Sequence, residues 1–220
     1  MKNATKATVS TFGAIAALAG LEHGIGETLQ GNTTPGGWVI QSWPGSAFFD
    51  ILAGEPAMTI VPNLLVTGIL AILVSLIFLV WATLFVHRKH GGLVLIQLSI
   101  ALLLVGGGFG PPLLGIITGA TATRINAPMN QWRFHLPAGL LRFLGESWLW
   151  SFRVCLIAWL FLFPGSTILA YFFGVNDPSL IAFLFFFALG TLLLTILSGF
   201  AHDIERRTGS SSVRFDSRAI

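Results

Sequence analysis

Charge, cysteine and the motifs of several enzyme classes are scarce in this sequence. Only 10% of its 220 residues are charged, whereas a soluble domain carries about 25%, so most of its surface must face something other than water. Its single cysteine, Cys155, excludes an intrachain disulfide and a cysteine-based metal cage. The sequence also lacks a phosphate-binding loop, a two-histidine zinc-protease motif and a basic–aromatic module. These absences argue against nucleotide hydrolysis, zinc proteolysis and nucleic-acid binding.

Long apolar blocks fill most of the chain instead. Apolar residues make up 54% of it, and the mean hydropathy is +0.81. A membrane-spanning helix needs roughly 20 apolar residues, and four blocks meet that length: 9–29, 63–86, 147–173 and 179–201. We therefore expect an all-α polytopic transmembrane helical bundle, with four full spans plus one Gly/Pro-broken hydrophobic segment. Residues 1–202 would form one integral membrane domain and 203–220 a flexible basic cytoplasmic tail. A cleaved signal peptide is the alternative for the first block.

Several local signals refine this pattern. Pro164 predicts a kink within the third long block. Asp177 and Pro178 are typical of a helix N-cap and first helical position. Arg142 and Glu146 have the spacing of an ion pair on one helix face, which we expect on a short surface helix.

The segment 91–122 is apolar but interrupted in its middle. Its 32 residues exceed one straight span, and each half is too short to cross alone. The interruption consists of four glycines and two prolines: Gly106, Gly107, Gly108, Gly110, Pro111 and Pro112. Such backbone is tolerated at membrane depth only when it is buried in protein or lines water. We expect a re-entrant hairpin that turns at this break; a kinked full crossing is the alternative.

The distribution of Lys and Arg favours the hairpin. If 91–122 crosses and the N-terminus is inside, four of eleven flanking basic residues lie inside and seven outside, contrary to the positive-inside rule. With the hairpin, all eleven lie on one side, and the outer loops 31–61 and 174–177 contain neither Lys nor Arg. The expected location is a cell membrane, on the simplest interpretation the prokaryotic inner membrane, with both termini in the cytoplasm.

Three ionisable residues lie within the first span. His23 and Glu27, four residues apart, share one helix face, whereas Glu22 is expected to point away from it. Ionisable groups in a span are costly and usually face a partner or a wet cavity. We therefore predict an ion or proton site at His23 and Glu27, with Glu22 beside it.

Small residues lie on the same face of the first span. Ala16, Gly20 and Gly24 form a strip that lets another helix approach closely. Besides the lipid bilayer, the expected partner at this strip is a second copy of the chain or another membrane helix. No nucleic-acid partner is expected.

The outer loops add further acids. Asp50 and Glu55 lie in 31–61, and Asp177 lies in 174–177. Acids gathered on one side without basic residues attract cations and can take up protons. Trp38 and Trp43 in the first of these loops suit the membrane–water interface.

A bound metal or cofactor has weaker support from the sequence. A metal site needs a third ligand beside His23 and Glu27, which Asp50 or Glu55 would supply. Haem held between helices needs two histidines at matching depth, and the other four histidines lie at the inner end or in loops. No cofactor is therefore expected.

The best functional hypothesis is a small cation- or proton-linked permease or transport component with an intramembrane His/Glu site. One alternative is a non-catalytic accessory or scaffold protein, whose polar, small-residue helix face binds a partner. The other is a metal-binding membrane enzyme, although no nucleophile–base pairing favours catalysis.

Overall fold

The computed structural model describes residues 3–127 and 136–216, with side chains as far as Arg207. These ranges contain seven α-helices and two short strands: α1 (Ala4–Leu29), β1 (Val39–Gln41), β2 (Pro56–Met58), α2 (Leu64–Val80), α3 (Gly91–Leu104), α4 (Gly110–Ala122), α5 (Ala138–Leu160), α6 (Ser166–Phe173) and α7 (Pro178–Asp216). Four helical stretches are long and apolar enough to cross a membrane: Ala4–Leu29, Leu64–Phe85, Ala138–Phe173 and Pro178–Arg207. The predicted all-α helical bundle is confirmed.

The first helix, α1, begins earlier than predicted because its free N–H groups are capped. The side chain of Asn3 accepts the N–H of Lys6 at 2.7 Å. The carboxylate of Asp203, far along the chain in α7, accepts the N–H groups of Ala4 at 2.8 Å and Thr5 at 3.0 Å. A carboxylate also stabilises the positive end of the helix dipole, so Asp203 fixes the start of α1 against α7.

Helices α1 and α2 pack antiparallel at close range. A Cβ on Gly13 would lie 2.8 Å from the Cβ of Ala82, and one on Gly24 would lie 2.8 Å from the carbonyl oxygen of Gly68. Glycine therefore permits backbone contact along this interface. Beyond α2 the helix continues through one π-helical turn, Trp81–Phe85.

The third long stretch joins α5 to α6 through a bent turn, Phe161–Gly165. Phe163 leaves helical geometry, with φ −152° and ψ 123°, immediately before Pro164, which confirms the predicted kink. The predicted pair of Arg142 and Glu146 is also present, with Nε and Oε1 2.9 Å apart. Both residues lie in α5 itself, because the surface helix and the span are one continuous helix.

Helix α7 begins at the predicted cap. Asp177 Oδ1 accepts the backbone N–H of Ser179 at 2.9 Å and its hydroxyl at 2.6 Å, and these bonds hold the pKa of Asp177 below its ordinary value. The helix runs to Asp216, past the predicted end at Ala201. The flexibility of residues 203–220 stays a prediction.

The broken segment folds into two antiparallel helices, α3 and α4, joined by residues 105–109, which we call the hairpin tip. A Cβ on Gly119 of α4 would lie 3.0 Å from the carbonyl oxygen of Gly92, near the start of α3. The side-chain amide of Asn126 donates to the carbonyl oxygen of His87 at 2.8 Å. The segment therefore returns to the end of the bundle where it began; its position in a membrane stays a prediction.

Basic residues gather at that same end of the bundle. It is the end where α1 begins and where α2, α4 and the described side chains of α7 end. The Lys and Arg side chains described there are Lys6, Arg88, Lys89, Arg124, Arg142, Arg206 and Arg207. Lys2, Trp132, Arg133, His135 and Arg218 lie outside the described residues, and only the backbone of Arg214 is described.

The loop 31–61 contains a small sheet that the sequence pattern did not predict. Strands β1 and β2 pair antiparallel, with Ile40 opposite Ala57. Thr59 then forms a bridge with Val105 in the hairpin tip. The loop is therefore joined to the tip by backbone hydrogen bonds, at the opposite end of the bundle from the basic residues.

Candidate functional site

The last turns of α1, the loop 31–61 and the hairpin tip meet at one buried point. There Glu22, His23 and Glu55 form what we call the Glu–His cluster, whose ligand atoms lie within 4.8 Å of one another. His23 Nδ1 lies 3.0 Å from Glu22 Oε2 and 3.4 Å from Glu55 Oε2. The same nitrogen lies 2.9 Å from the carbonyl oxygen of Ala19. Carboxylate oxygens from two different elements therefore surround one ring nitrogen of the imidazole.

Glu27 lies one turn beyond His23 on α1 and is fully buried. Ser42 donates its hydroxyl to Glu27 Oε1 at 3.2 Å, and the N–H of Ser42 donates to the carbonyl oxygen of Glu55 at 3.0 Å. Ser42 therefore joins Glu27 to the Glu–His cluster. The predicted position of His23 and Glu27 on one face is consistent with this arrangement.

Glu55 reaches the cluster through an unusual backbone. Three consecutive residues have positive φ: Ala53 at 53°, Gly54 at 69° and Glu55 at 55°. Left-handed geometry is unfavourable for residues with a Cβ, and such strain persists only where the surrounding structure imposes it. The turn directs the Glu55 side chain into the bundle, where it is only 7% exposed.

The buried position changes the chemistry of Glu55. Loss of water raises the pKa of its carboxyl to about 9; the neighbouring Glu22 adds to this effect and His23 opposes it. Glu55 therefore holds a proton at neutral pH unless a cation takes the place of that proton.

The structure corrects the expectation that Glu22 points away from His23. The indole N–H of Trp43 donates to Glu22 Oε1, and the other oxygen turns towards His23. Trp43 packs over Gly26 of α1, where a Cβ would lie 2.7 Å from the ring; its position at the membrane interface stays a prediction. Gly26, close to His23 in the sequence, was a signal that something packs closely against this part of α1. The sequence did not indicate that Trp43, from the distant loop 31–61, makes the contact.

The Gly/Pro break of the apolar segment meets the ionisable residues of α1 at the hairpin tip. Gly106 and Gly108 have φ values of 93° and 78°, which favour glycine. A Cβ on Gly106 would contact the carboxylate of Glu27, and one on Gly108 would contact Nε2 of His23. The backbone of the tip therefore packs directly against Glu27 and His23 of α1.

The other predicted acids do not join the cluster. Asp50 lies in a 3₁₀ turn, Asp50–Leu52, and is exposed. Asp177 is exposed as well and caps α7. Of the three outer acids, Glu55 alone reaches His23, and it is the third ligand that a metal site would need.

The small-residue strip lies against α2 of the same chain. A Cβ on Gly20 would lie 2.7 Å from the hydroxyl of Ser75, and Gly24 faces Gly68 as described above. Ala16 is buried. A partner from outside the chain at this strip stays a prediction.

A cavity of about 570 Å³ opens beside the cluster. Its polar contributors include His23 and Glu55 at one end. The walls are apolar and come from α1, α4, α5 and α7, with aromatic rings from Phe109, Trp159, Phe163, Phe185 and Phe186. Neither Lys nor Arg is among the described residues that line it. Volumes of roughly 300–1,000 Å³ suit small organic ligands.

The acids of this site could bind protons or cations. Oε2 of Glu27 is buried without a hydrogen-bond partner, whereas Oε2 of Glu22 and Oε2 of Glu55 have His23 Nδ1 as a close neighbour. Glu22, His23 and Glu55 offer a donor set for a metal ion, but the N–H that His23 shares with the Ala19 carbonyl must be lost for Nδ1 to coordinate. Proton binding requires no such change.

Comparison with protein families, with curated proteins and with solved structures gives no match to this chain.

Proposed function

We propose that this protein is a proton-linked membrane permease component for cations, in which the Glu–His cluster and Glu27 form the exchange site. The observation that carries the proposal is the close grouping of three carboxyl groups inside the protein: Oε2 of Glu22 and Oε2 of Glu55 lie 3.0 Å and 3.4 Å from His23 Nδ1, and Glu27, one turn away, is fully buried. A carboxylate in apolar surroundings is strongly destabilised unless a proton or a cation neutralises it. Coupled exchange requires that a proton and a cation bind to the same carboxyl groups in turn.

The hairpin supports this function through its position. We place α3 and α4 in the membrane as a re-entrant pair, whose tip reaches the Glu–His cluster from the basic, cytoplasmic end. Broken helices with their tips at an ion site are typical of secondary transporters. The tip residues Gly106 and Gly108 contact Glu27 and His23, so a shift of the tip changes the surroundings of both groups.

Proton movement tests the proposal directly. Purified full-length protein is reconstituted into liposomes that contain a pH-sensitive dye, and gradients of inorganic or organic monovalent cations are imposed. We expect at least one cation to drive proton flux above that of empty liposomes. Each of the variants His23→Gln, Glu27→Gln and Glu55→Gln should reduce that flux at least tenfold, because glutamine keeps hydrogen bonding but cannot exchange a proton.

Asp50→Asn and Asp177→Asn are the matched controls, since both acids are exposed and lie outside the cluster. They should keep full flux. If no cation drives proton flux through the wild-type protein, or if all three Gln variants retain that flux, the exchange function is refuted. Folded but inactive Gln variants also distinguish exchange from the accessory role, in which the polar, small-residue helix face binds a partner and moves no protons.

The orientation is tested separately by cysteine labelling. In a Cys155→Ala background, Gly36→Cys places a thiol in the acidic-end loop and Thr123→Cys places one just after α4; both positions are exposed. An impermeant thiol reagent should label residue 36 in intact cells and residue 123 only after lysis. Labelling of residue 123 from outside would refute the cytoplasmic placement of that end.

A further inference from the structure

The apolar cavity beside the Glu–His cluster has no role in inorganic ion exchange alone. A bare ion needs several oxygen ligands at short range, whereas this cavity has polar groups at one end and apolar walls elsewhere. Its volume of about 570 Å³ is that of a site for an organic molecule. The shape and lining therefore indicate a ligand with one charged end and a large apolar body.

The sign of that charge follows from the acids. Glu55 lines the cavity and is 7% exposed, and its Oε2 lies 3.4 Å from His23 Nδ1. Glu22 lies next to His23, outside the cavity lining. Neither Lys nor Arg is among the described residues of that lining. Among the described lining residues an anionic ligand would find no Lys or Arg to pair with, whereas a cation would neutralise the Glu55 carboxylate once its proton has left.

The walls suit the body of such a cation. Trp159 and Phe163 of the kinked α5–α6 stretch face the cavity together with Phe109 of the hairpin tip and Phe185 of α7. Aromatic faces attract cations whose charge is spread over an organic body. A small, strongly hydrated metal ion gains little from them.

The cavity also has an opening at the surface of the bundle. Phe109 is 44% exposed and Phe186 of α7 is 68% exposed, and both line the cavity. Phe186 lies on the outer surface of α7, which is long and apolar enough to cross a membrane, so we place this opening against the bilayer. A lipophilic molecule dissolved in the bilayer can therefore enter between α4 and α7.

We propose that the cavity between α1, α4, α5 and α7 binds a lipophilic organic monocation, with the charge at Glu55 and the apolar body against the aromatic wall. This inference rests on the proposed exchange function, of which it names the substrate class. Binding of the cation at Glu55 displaces the proton that this carboxyl holds, and the released proton leaves to the surrounding water.

Direct binding to the full chain in detergent tests the inference, with radiolabelled tetraphenylphosphonium as the probe and protein-free micelles as the blank. Triphenylphosphine oxide, neutral and of similar shape, is the matched probe. We expect tetraphenylphosphonium to bind at least tenfold more tightly than the neutral compound, and to bind more tightly at pH 9 than at pH 6. The titratable groups that face Glu55 are Glu22 and His23.

Two variants separate charge from shape. Glu55→Gln should lower the affinity for tetraphenylphosphonium at least tenfold and leave that for triphenylphosphine oxide within twofold. Ala182→Trp, which narrows the cavity from α7, should weaken both probes, and Asp50→Asn should weaken neither. Equal binding of the two probes to the wild type, or unchanged tetraphenylphosphonium binding in Glu55→Gln, overturns the inference.

The outcomes also distinguish this inference from the exchange function. Site-dependent proton flux driven by an inorganic cation, without tetraphenylphosphonium binding, would overturn the substrate class and leave exchange intact. Binding of tetraphenylphosphonium that depends on Glu55 and Ala182, without proton flux for any cation, would overturn exchange and leave the binding site standing.

Discussion

Gly108 of the hairpin tip lies against Nε2 of His23, in a space that would not hold a side chain. Its φ of 78° is also a value that residues with a Cβ rarely adopt. The contact joins the broken apolar segment to the ionisable turn of α1. Any function of His23 therefore depends on the conformation of the tip.

Gly108→Ala should destabilise the protein and displace His23. Left-handed backbone with a Cβ costs about 1–2 kcal/mol, and overlap with the imidazole adds about 1–3 kcal/mol. We expect a lower thermal midpoint in detergent and loss of proton flux. Gly110→Ala is the matched control, since nothing lies within 4 Å of its added Cβ; equal stability of the two variants would contradict the packing described.

The stability of the protein should fall as pH rises through the neutral range. The pKa of Glu55 is about 9 in the folded protein and 4.5 ordinarily. Between these values the unfolded chain loses a proton that the folded chain keeps, so the folded state binds more protons and stability decreases with pH. Thermal midpoints measured from pH 5 to pH 9 should decline.

Glu55→Gln should flatten that decline, because glutamine does not titrate. Asp50→Asn, which changes an exposed acid of the same loop, should leave the slope unchanged. A wild-type midpoint that rises across this range, or an unchanged slope in Glu55→Gln, would show that Glu55 is not the group responsible.

Trp43→Phe should destabilise the cluster through hydrogen bonding. The substitution removes the indole N–H that Glu22 Oε1 accepts and keeps an aromatic ring over α1. A buried acceptor left without its donor costs about 1–3 kcal/mol, which denaturant or thermal unfolding would detect. Trp38→Phe is the control, because Trp38 is 74% exposed and such changes usually stay within about 0.5 kcal/mol. Similar losses in both variants would refute the role assigned to Trp43.

The sequence predicted the elements better than it predicted the site. Long apolar blocks and the Gly/Pro break are local signals, so the helices and the turn near residue 106 were available from composition and spacing. His23 and Glu27 stood out because ionisable residues are rare in spans. The loop and hairpin-tip residues that contact His23 and Glu27 lie far away in the sequence, and a hydrophobic pattern does not indicate contacts between distant segments.

Glu55 and Trp43 show why the site itself was incomplete. Both lie in an irregular loop, and their direction depends on three positive φ values and a two-stranded sheet of three residues per strand. Asp50 and Glu55 were equivalent in the sequence; the turn at Ala53 separates them, turning one inward and leaving the other in solvent.

Asp203→Ala should loosen the start of α1 without affecting the exchange site. It removes the carboxylate that accepts the N–H groups of Ala4 and Thr5, and loss of such a cap costs about 1–2 kcal/mol. Glu146→Gln, in an exposed ion pair of the same end, should cost less than Asp203→Ala, because exposed ion pairs contribute little to stability. Because Asp203 lies at the opposite end from the Glu–His cluster, normal proton flux should persist in folded Asp203→Ala protein. Unaltered stability, or lost flux with the fold intact, would contradict this placement.

Ala53→Gly tests whether strain in the loop is imposed by the need to bury Glu55. Ala53 has a φ of 53°, so glycine should relieve about 1 kcal/mol of left-handed strain, less the entropy that glycine adds to the unfolded chain. Ala47→Gly, at an exposed position of the same loop without positive φ, has no strain to relieve and should lose stability. We expect Ala53→Gly to match or exceed the wild-type thermal midpoint and Ala47→Gly to fall below it. If Ala53→Gly is the less stable of the two, the turn is not strained in the folded protein, and Glu55 would reach His23 without the energetic cost that its backbone indicates.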